Sequence, residues 1–335
     1  MSKLLFCTDT DSGSISVIEL EKDRNRAEHE IAVGNGPRGP VMFTKNGRGL
    51  VANHAGNTLS EIDAYSLRET GRIEVGLAPI GVAIVPGDRY ALTSNAGEDT
   101  ISVVDLGNRK EVHRFIVGRE PRHMGFTPDG DTAYAAISGA DYVSKIDTTA
   151  LAKNDPEAIA DTVREVGRIY LGRGTMPYSV AVSPNGAYAL AANNQVSFVT
   201  ILDLKNDSIL HEVEVGSKGA RGSVFMPDSR QVLVTIEDTS EIVAIDTAKG
   251  EVLERFAAGP GPRGIVLDPD TSTIYASAFA RKTNNTKHMS MPNSVSVLHF
   301  SPKALTKTAM TKAKPEGREI KVGAGPCSVS LFQRT

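Results

Sequence analysis

The chain has 335 residues, of which 40% are hydrophobic, 23% charged and 5% aromatic, with a formal net charge of -3. That apolar fraction can build a core, which excludes intrinsic disorder as the main state, and no apolar run approaches the roughly 20 residues of a membrane-spanning helix. Two cysteines, Cys7 and Cys327, are too few for a disulfide framework or a multi-cysteine zinc site, and the near-neutral charge gives no global pull toward nucleic acid.

The N-terminus, MSKLLFCTDTDSG, turns polar within a few residues and lacks the pattern of a secretory signal, so a cytoplasmic protein is expected. Three short strand-like stretches open the chain, at residues 3–7, 15–20 and 28–33. A signature then begins to recur: Gly, a few loose residues, usually Pro, and an alternating apolar stretch. It reads GNGPR from Gly34, GLAPI from Gly76, GREPR from Gly118 and GRGTMPY from Gly172. It continues as GSKGAR from Gly216, GPGPR from Gly259 and GAGPC from Gly323. The leading glycines are 42, 42, 54, 44, 43 and 64 residues apart. Such a period marks a repeat architecture.

Within each period, apolar and polar residues alternate in short runs separated by turns, as in SVAVS, PNG and AYALAA from Ser179 onward. That pattern predicts antiparallel hairpins. Asp63, Asp105, Asp147, Asp203 and Asp246 recur after the third run, where an Asp bonds the backbone of the next turn; these are expected to be structural. Four strands per 40 to 45 residues describe one propeller blade. The last signature is followed by one strand and the first is preceded by three. The expected fold is therefore all-β, a seven-bladed β-propeller with four antiparallel strands per blade, closed by pairing one C-terminal strand with three N-terminal ones. Residues 1–335 form a single domain on this reading. Its blades start near 34, 76, 118, 172, 216 and 259, with a seventh made of the segment from 323 plus 1–33.

Over its whole length the chain resembles the YVTN-repeat, YncE-like seven-bladed propellers. The stretches that carry the resemblance are PRHMGFTPDG at 121–130, YSVAVSPNG at 178–186 and NTLSEID at 57–63. A propeller frame hosts many activities, so function has to be sought in the positions that vary.

Two rings of varying residues are expected at one mouth of the central channel. The first follows the Pro of each signature: Arg38, Ile80, Arg122, Tyr178, Arg221, Arg263 and Cys327. The second lies 16 residues later: His54, Ala96, Ser138, Asn194, Glu237 and Phe279, with Thr8 or Asp9 completing it. Four arginines around one funnel would draw in a carboxylate or phosphate. The competing reading is that each guanidinium braces loop carbonyls. His54 and His123 are candidate proton carriers, with structural roles as the alternative. Glu237 is a candidate base or an ion-pair partner of Arg221. Glu237, Asp9 and Asn194 could hold a hard metal, but no metal and no cofactor is expected, since dinucleotide, phosphate-loop and zinc motifs are absent.

PRHM at 121–124 resembles a lactonase motif, and Arg221 with Glu237 resembles the Arg and Glu of muconate-type cycloisomerases. That second family has a His where this chain has Tyr178, which could donate a proton instead. Blade six carries a long insertion at residues 280–293 with Arg281, Lys282, Lys287 and His288. It is expected on the mouth face, as a lid with Lys282 and His288 adding substrate-binding groups, or alternatively as a disordered polar loop. An insertion in blade three, roughly 148–166, is expected to hold a short helix on the opposite face, where the basic stretch at 303–314 of blade six is expected as a solvated loop. The expected function is an enzyme for a small anionic molecule, of lactonase, cycloisomerase or lyase type; the alternative is a non-catalytic propeller binding a ligand or a protein. Nucleic-acid binding, which the resemblance also raises, is not expected without Trp and with few aromatics for stacking.

Overall fold

A computed structural model describes residues 2–22, 26–279, 293–299 and 316–334. Its strands form seven four-stranded sheets, each antiparallel throughout. The innermost strands are Pro37–Phe43, Pro79–Ile84, Pro121–Phe126, Pro177–Val182, Ala220–Phe225, Pro262–Asp268 and Pro326–Gln333. Each touches the next around the ring, and the last touches the first, so the toroid is closed. The seventh sheet joins Pro326–Gln333 to Lys3–Asp9, Ser14–Glu19 and His29–Ala32, as the count of terminal strands predicts. Closure leaves no open seam between the first and last blades.

The hydrophobic core is divided into seven clusters, one at each junction between neighbouring blades. Strand alternation produces this. In Arg48–Asn53, Leu50 and Ala52 point toward the second blade while Val51 points toward the seventh. Both faces of each sheet are therefore buried across its inner strands, while the outermost strand keeps exposed positions, as in Arg68–Glu74.

Three turn details fix the frame. The recurring acids act as expected: Asp63 accepts N–H bonds from Tyr65 and Ser66, Asp105 from Gly107 and Asn108, and Asp203 from Lys205 and Asn206. The residue before each inner strand has a left-handed backbone in all seven blades: Gly36, Ala78, Glu120, Met176, Gly219, Gly261 and Gly325. Where it is not glycine, a side chain from the preceding blade holds it. Asn57 accepts the Ala78 N–H, Asp99 that of Glu120 and Asp141 that of Met176. The blade-three insertion contains two short helices, Thr149–Ala152 and Ile159–Thr162, where one was expected. Thr148 donates to the Gly130 carbonyl in the turn between the first two strands, which places the insertion on the face away from the channel entry loops.

Inner strands crowd one another near the axis. A Cβ on Gly222 would come within 2.3 Å of the Arg263 carbonyl oxygen, a backbone atom that cannot yield cheaply. Gly222→Ala is expected to destabilise the protein by about 1–3 kcal/mol, read as a lowered midpoint in urea unfolding.

Candidate functional site

The entry turn and the end of the second strand meet on one face of every blade. His54, Ala96, Ser138, Asn194, Glu237 and Phe279 each donate a backbone N–H to the residue preceding an inner strand. The seventh such donor is Thr10, to Gly325. This corrects the expected Thr8 or Asp9: the register slips at Thr8/Asp9 where Cys327 is the extra residue, and Asp9 pairs with Pro326 as Asn53 pairs with Pro37.

A register shift recurs at the head of every inner strand, among them Pro121/Met124, Ala220/Ser223 and Pro262/Ile265. Such bulges re-aim the side chain that follows. Tyr178, Arg221, Arg263 and Cys327 from the first ring line the central cavity, together with His123. The cavity measures about 160 Å³.

An arc of side chains from blades three to six forms the mouth. Arg122 and Arg221 both lie over the Tyr178 ring, with Cζ 5.0 and 4.3 Å from its centroid. His123 packs against the same ring at 5.4 Å between centroids. Glu237 is held from two sides. Arg221 Nε donates to Oε2 at 2.6 Å, and Arg263 donates to Oε1 through Nε at 2.9 Å and Nη2 at 2.6 Å. Arg263 in turn lies 3.5 Å over Phe279. Arg122 reaches Glu120 at 3.3 Å, and Arg38 has no ion pair among the described residues. The four guanidinium groups of the first ring thus have two carboxylate partners, Glu120 and Glu237, an excess of arginine over paired acid within that ring.

That excess acts on the histidines. Burial, and then the charges of Arg122, Arg221 and Arg38, push His123 down to about 4, so its ring is neutral at pH 7. Burial, followed by the Arg38 charge, also holds His54 below the ordinary range, against the pull of backbone oxygens at Pro79 and Ala78. His54 Nδ1 is buried without a hydrogen-bond partner. His54 lies close enough to Arg38 and Arg122 to feel both charges, yet it is not part of the cavity wall.

Asn194 sits outside the arc, with Nδ2 donating to the Ala220 carbonyl at 3.4 Å and its oxygen accepting from Gln195. Lys282 and His288, with the rest of the 280–292 insertion and the 303–314 stretch, lie outside the described residues. Among the described residues no three His, Cys, Asp or Glu side chains gather as metal ligands, and no helix is long and apolar enough to cross a membrane. Cys7 and Cys327 are free and buried; burial, reinforced by Asp9, pushes the Cys7 thiol well up.

Two features of the arc go beyond the sequence reading. His123 occupies a repeat position held elsewhere by Gly39, Gly81, Ser179, Gly222, Gly264 and Ser328. The space left by Gly39 and Gly81 is what its ring fills, and the run of small residues at that position is the signal that points to it. Phe279 is the floor under Arg263, a pairing within blade six between the two rings.

Residues 77–266 match the family model described as YNCE-like beta-propeller. A comparison with curated proteins finds no match. Among solved structures, the hydrazine synthase of Kuenenia stuttgartiensis is 21% identical, with a TM-score of 0.70 over 90% of this chain and 97% of that one. The periplasmic gluconolactonase PpgL of Pseudomonas aeruginosa is 17% identical, with a TM-score of 0.76 over 99% of each chain. A functionally unknown protein from Desulfotomaculum acetoxidans is 15% identical, with a TM-score of 0.75 over 98% of each. At these identities the likeness is one of fold.

Proposed function

The chain belongs to the YNCE-like β-propeller family, and from that premise we propose that it is an enzyme acting on a small anionic molecule at the channel mouth, with acid–base chemistry of the lactonase, cycloisomerase or lyase kind. The observation that carries this reading is the convergence of neutral His123 and the Tyr178 phenol beneath the guanidinium groups of Arg122 and Arg221. The anionic group docks on Arg38 and Arg122, which have the least internal compensation. In lactone hydrolysis, His123 takes the proton from attacking water as the new C–O bond forms, the ring C–O bond of the tetrahedral intermediate then breaks, and the proton on His123 passes to the leaving alkoxide. Tyr178 donates a hydrogen bond to the carbonyl oxygen as it gains charge, and the arginines stabilise that charge in a partly dry site. Proton abstraction from carbon beside a bound carboxylate uses the same pair. The fold shared with a gluconolactonase supports the lactone direction.

A second reading has its own support. Both oxygens of Glu237 are occupied by arginine N–H groups, so the carboxylate beside the cavity arginines is already paired, which suits a non-catalytic module for a ligand or a protein partner.

A panel of lactones and unsaturated acids incubated with pure protein separates the two. Turnover is expected to fall at least about 100-fold in His123→Ala and Tyr178→Phe, and Arg122→Ala is expected to raise KM. His54→Ala tests whether the outer histidine shares the proton. Because the His123 ring stays unprotonated down to about 4, the acid limb of kcat/KM is expected near that pH and not in the ordinary histidine range. A bound anion offsets the arginine charges, so the limb of kcat is expected higher. Stabilisation by anions with no turnover of any panel member establishes the binding module instead.

A further inference from the structure

Below the arginines the channel changes character. Three residues beyond the head of each inner strand, Pro40, Val82, Met124, Val180, Ile265 and Val329, with Ser223 as the seventh, border the cavity as a collar; Val82, Met124, Val180, Ile265 and Val329 also pack into the junctions between blades and are 2–9% exposed. All seven line the same cavity as Tyr178, Arg221 and Arg263. Inner strands start at the mouth, so the collar lies two residues deeper than the arginine ring, about 7 Å along an extended strand. Ser223 is its only polar side chain, and that hydroxyl is buried without a hydrogen-bond partner.

From this juxtaposition we propose that the site takes an amphipathic carboxylate, with its head on the arginine ring and a hydrocarbon or aryl tail of about six carbons in the collar. The proposal rests on the anion reading of the mouth given above. A cavity of about 160 Å³ is close to the size that accommodates a benzene ring. A polyhydroxylated sugar acid would bury most of its hydroxyls against valine, isoleucine, methionine and proline, with Ser223 in the collar and Ser179 and Ser328 one residue nearer the mouth to answer them. Unanswered hydroxyls cost more than the contact returns. A tail with at most one polar atom, placed to meet Ser223, has no such conflict.

Calorimetric titration of the wild-type protein with acetate, butanoate, hexanoate, 3-phenylpropionate, gluconate, inorganic phosphate and 1-hexanol tests this. Affinity is expected to rise about fourfold for each methylene added, levelling near six carbons, with hexanoate and phenylpropionate well above gluconate. In Val82→Thr and Val329→Thr the gain per methylene is expected to shrink while acetate and phosphate bind as before; the wild-type series stands if those variants do not fold. Gluconate or phosphate binding at least as tightly as hexanoate would overturn the tail pocket and leave the anion site intact. Equal affinity for 1-hexanol and hexanoate would overturn the arginine head site, and the present proposal with it. Binding of none of the anions overturns both readings.

Discussion

Replacing Asp9 by Asn is expected to stabilise the protein at pH 8 and to flatten its stability between pH 4 and 7. Asp9 is fully buried in the strand that pairs with the C-terminal closing strand. Its Oδ2 accepts from the Ser16 N–H at 3.1 Å and the Ser16 hydroxyl at 2.6 Å, while Oδ1 has no partner. Burial raises the carboxyl to about 7, against the pull of bonds from Ser16, Cys7 and Gly323. The native state therefore holds a proton that the unfolded chain releases near about 4. The stability this lends is fully present below the unfolded value and is lost as pH rises toward 7, amounting to at most about 4 kcal/mol.

The repeat itself shows that Asn fits the position. Asn53 donates to Thr58 and Ser60, Asn95 to Thr100 and Ser102, and Asn193 to Thr200. In blade one the Ser60 hydroxyl that Asn53 touches also accepts the Gly34 N–H. In the closing blade the Ser16 hydroxyl accepts the Gly323 N–H in the same way. An amide in place of the Asp9 carboxyl would complete that pattern with no charge to bury. Urea unfolding of wild type and Asp9→Asn at pH 4, 6 and 8 reads the difference. A variant no more stable than wild type at pH 8, or with the same pH slope, would show that Asp9 keeps its charge in the folded state.

Repetition makes the ring legible in the sequence and leaves contacts between repeats hidden. Seven signatures at a near-constant period and the one-plus-three strands at the ends dictate a closed ring, because each sheet must cover both faces against a neighbour. The two mouth rings are visible for the opposite reason: Arg38, Arg122, Tyr178 and Arg221 vary inside a frame of fixed Gly, Pro and apolar positions. What escapes is whatever depends on contacts across blades. Glu237 looks like a partner of Arg221 from spacing alone, and its second partner, Arg263, is 26 residues away on the next blade. Thr10, and not Thr8 or Asp9, completes the second ring because the bulge at Cys327 cannot be counted from the far end of the chain. The direction of the His123 ring follows from the gap left by Gly39 and Gly81, two residues on other blades.

Removal of Glu237 is expected to tighten anion binding rather than to abolish it as loss of a base would. The carboxylate is the common partner of Arg221 and Arg263, and all three side chains are mostly buried, at 14–20% exposure. Taking away one partner of such a cluster leaves guanidinium charge without compensation and costs stability, here about 2–4 kcal/mol. An added anion can return that compensation. Two arginines that were neutralised in part by Glu237 become available beside Arg38 and Arg122, so Glu237→Ala is expected to bind hexanoate or phosphate about tenfold more tightly or better, given about 1–4 kcal/mol for a unit charge at close range in a part-solvated site. Its melting temperature is expected to rise more steeply with added anion than that of wild type. Glu237→Gln keeps the shape, loses the charge and presents an amide to one arginine, so it is expected to fall between the two. A general base gives a different pattern: turnover collapses in both variants while affinity and the anion dependence of melting stay as in wild type. Calorimetry with one anion across the three proteins decides between them, and unchanged or weakened binding in Glu237→Ala would remove Glu237 from the role of holding the two arginines in check.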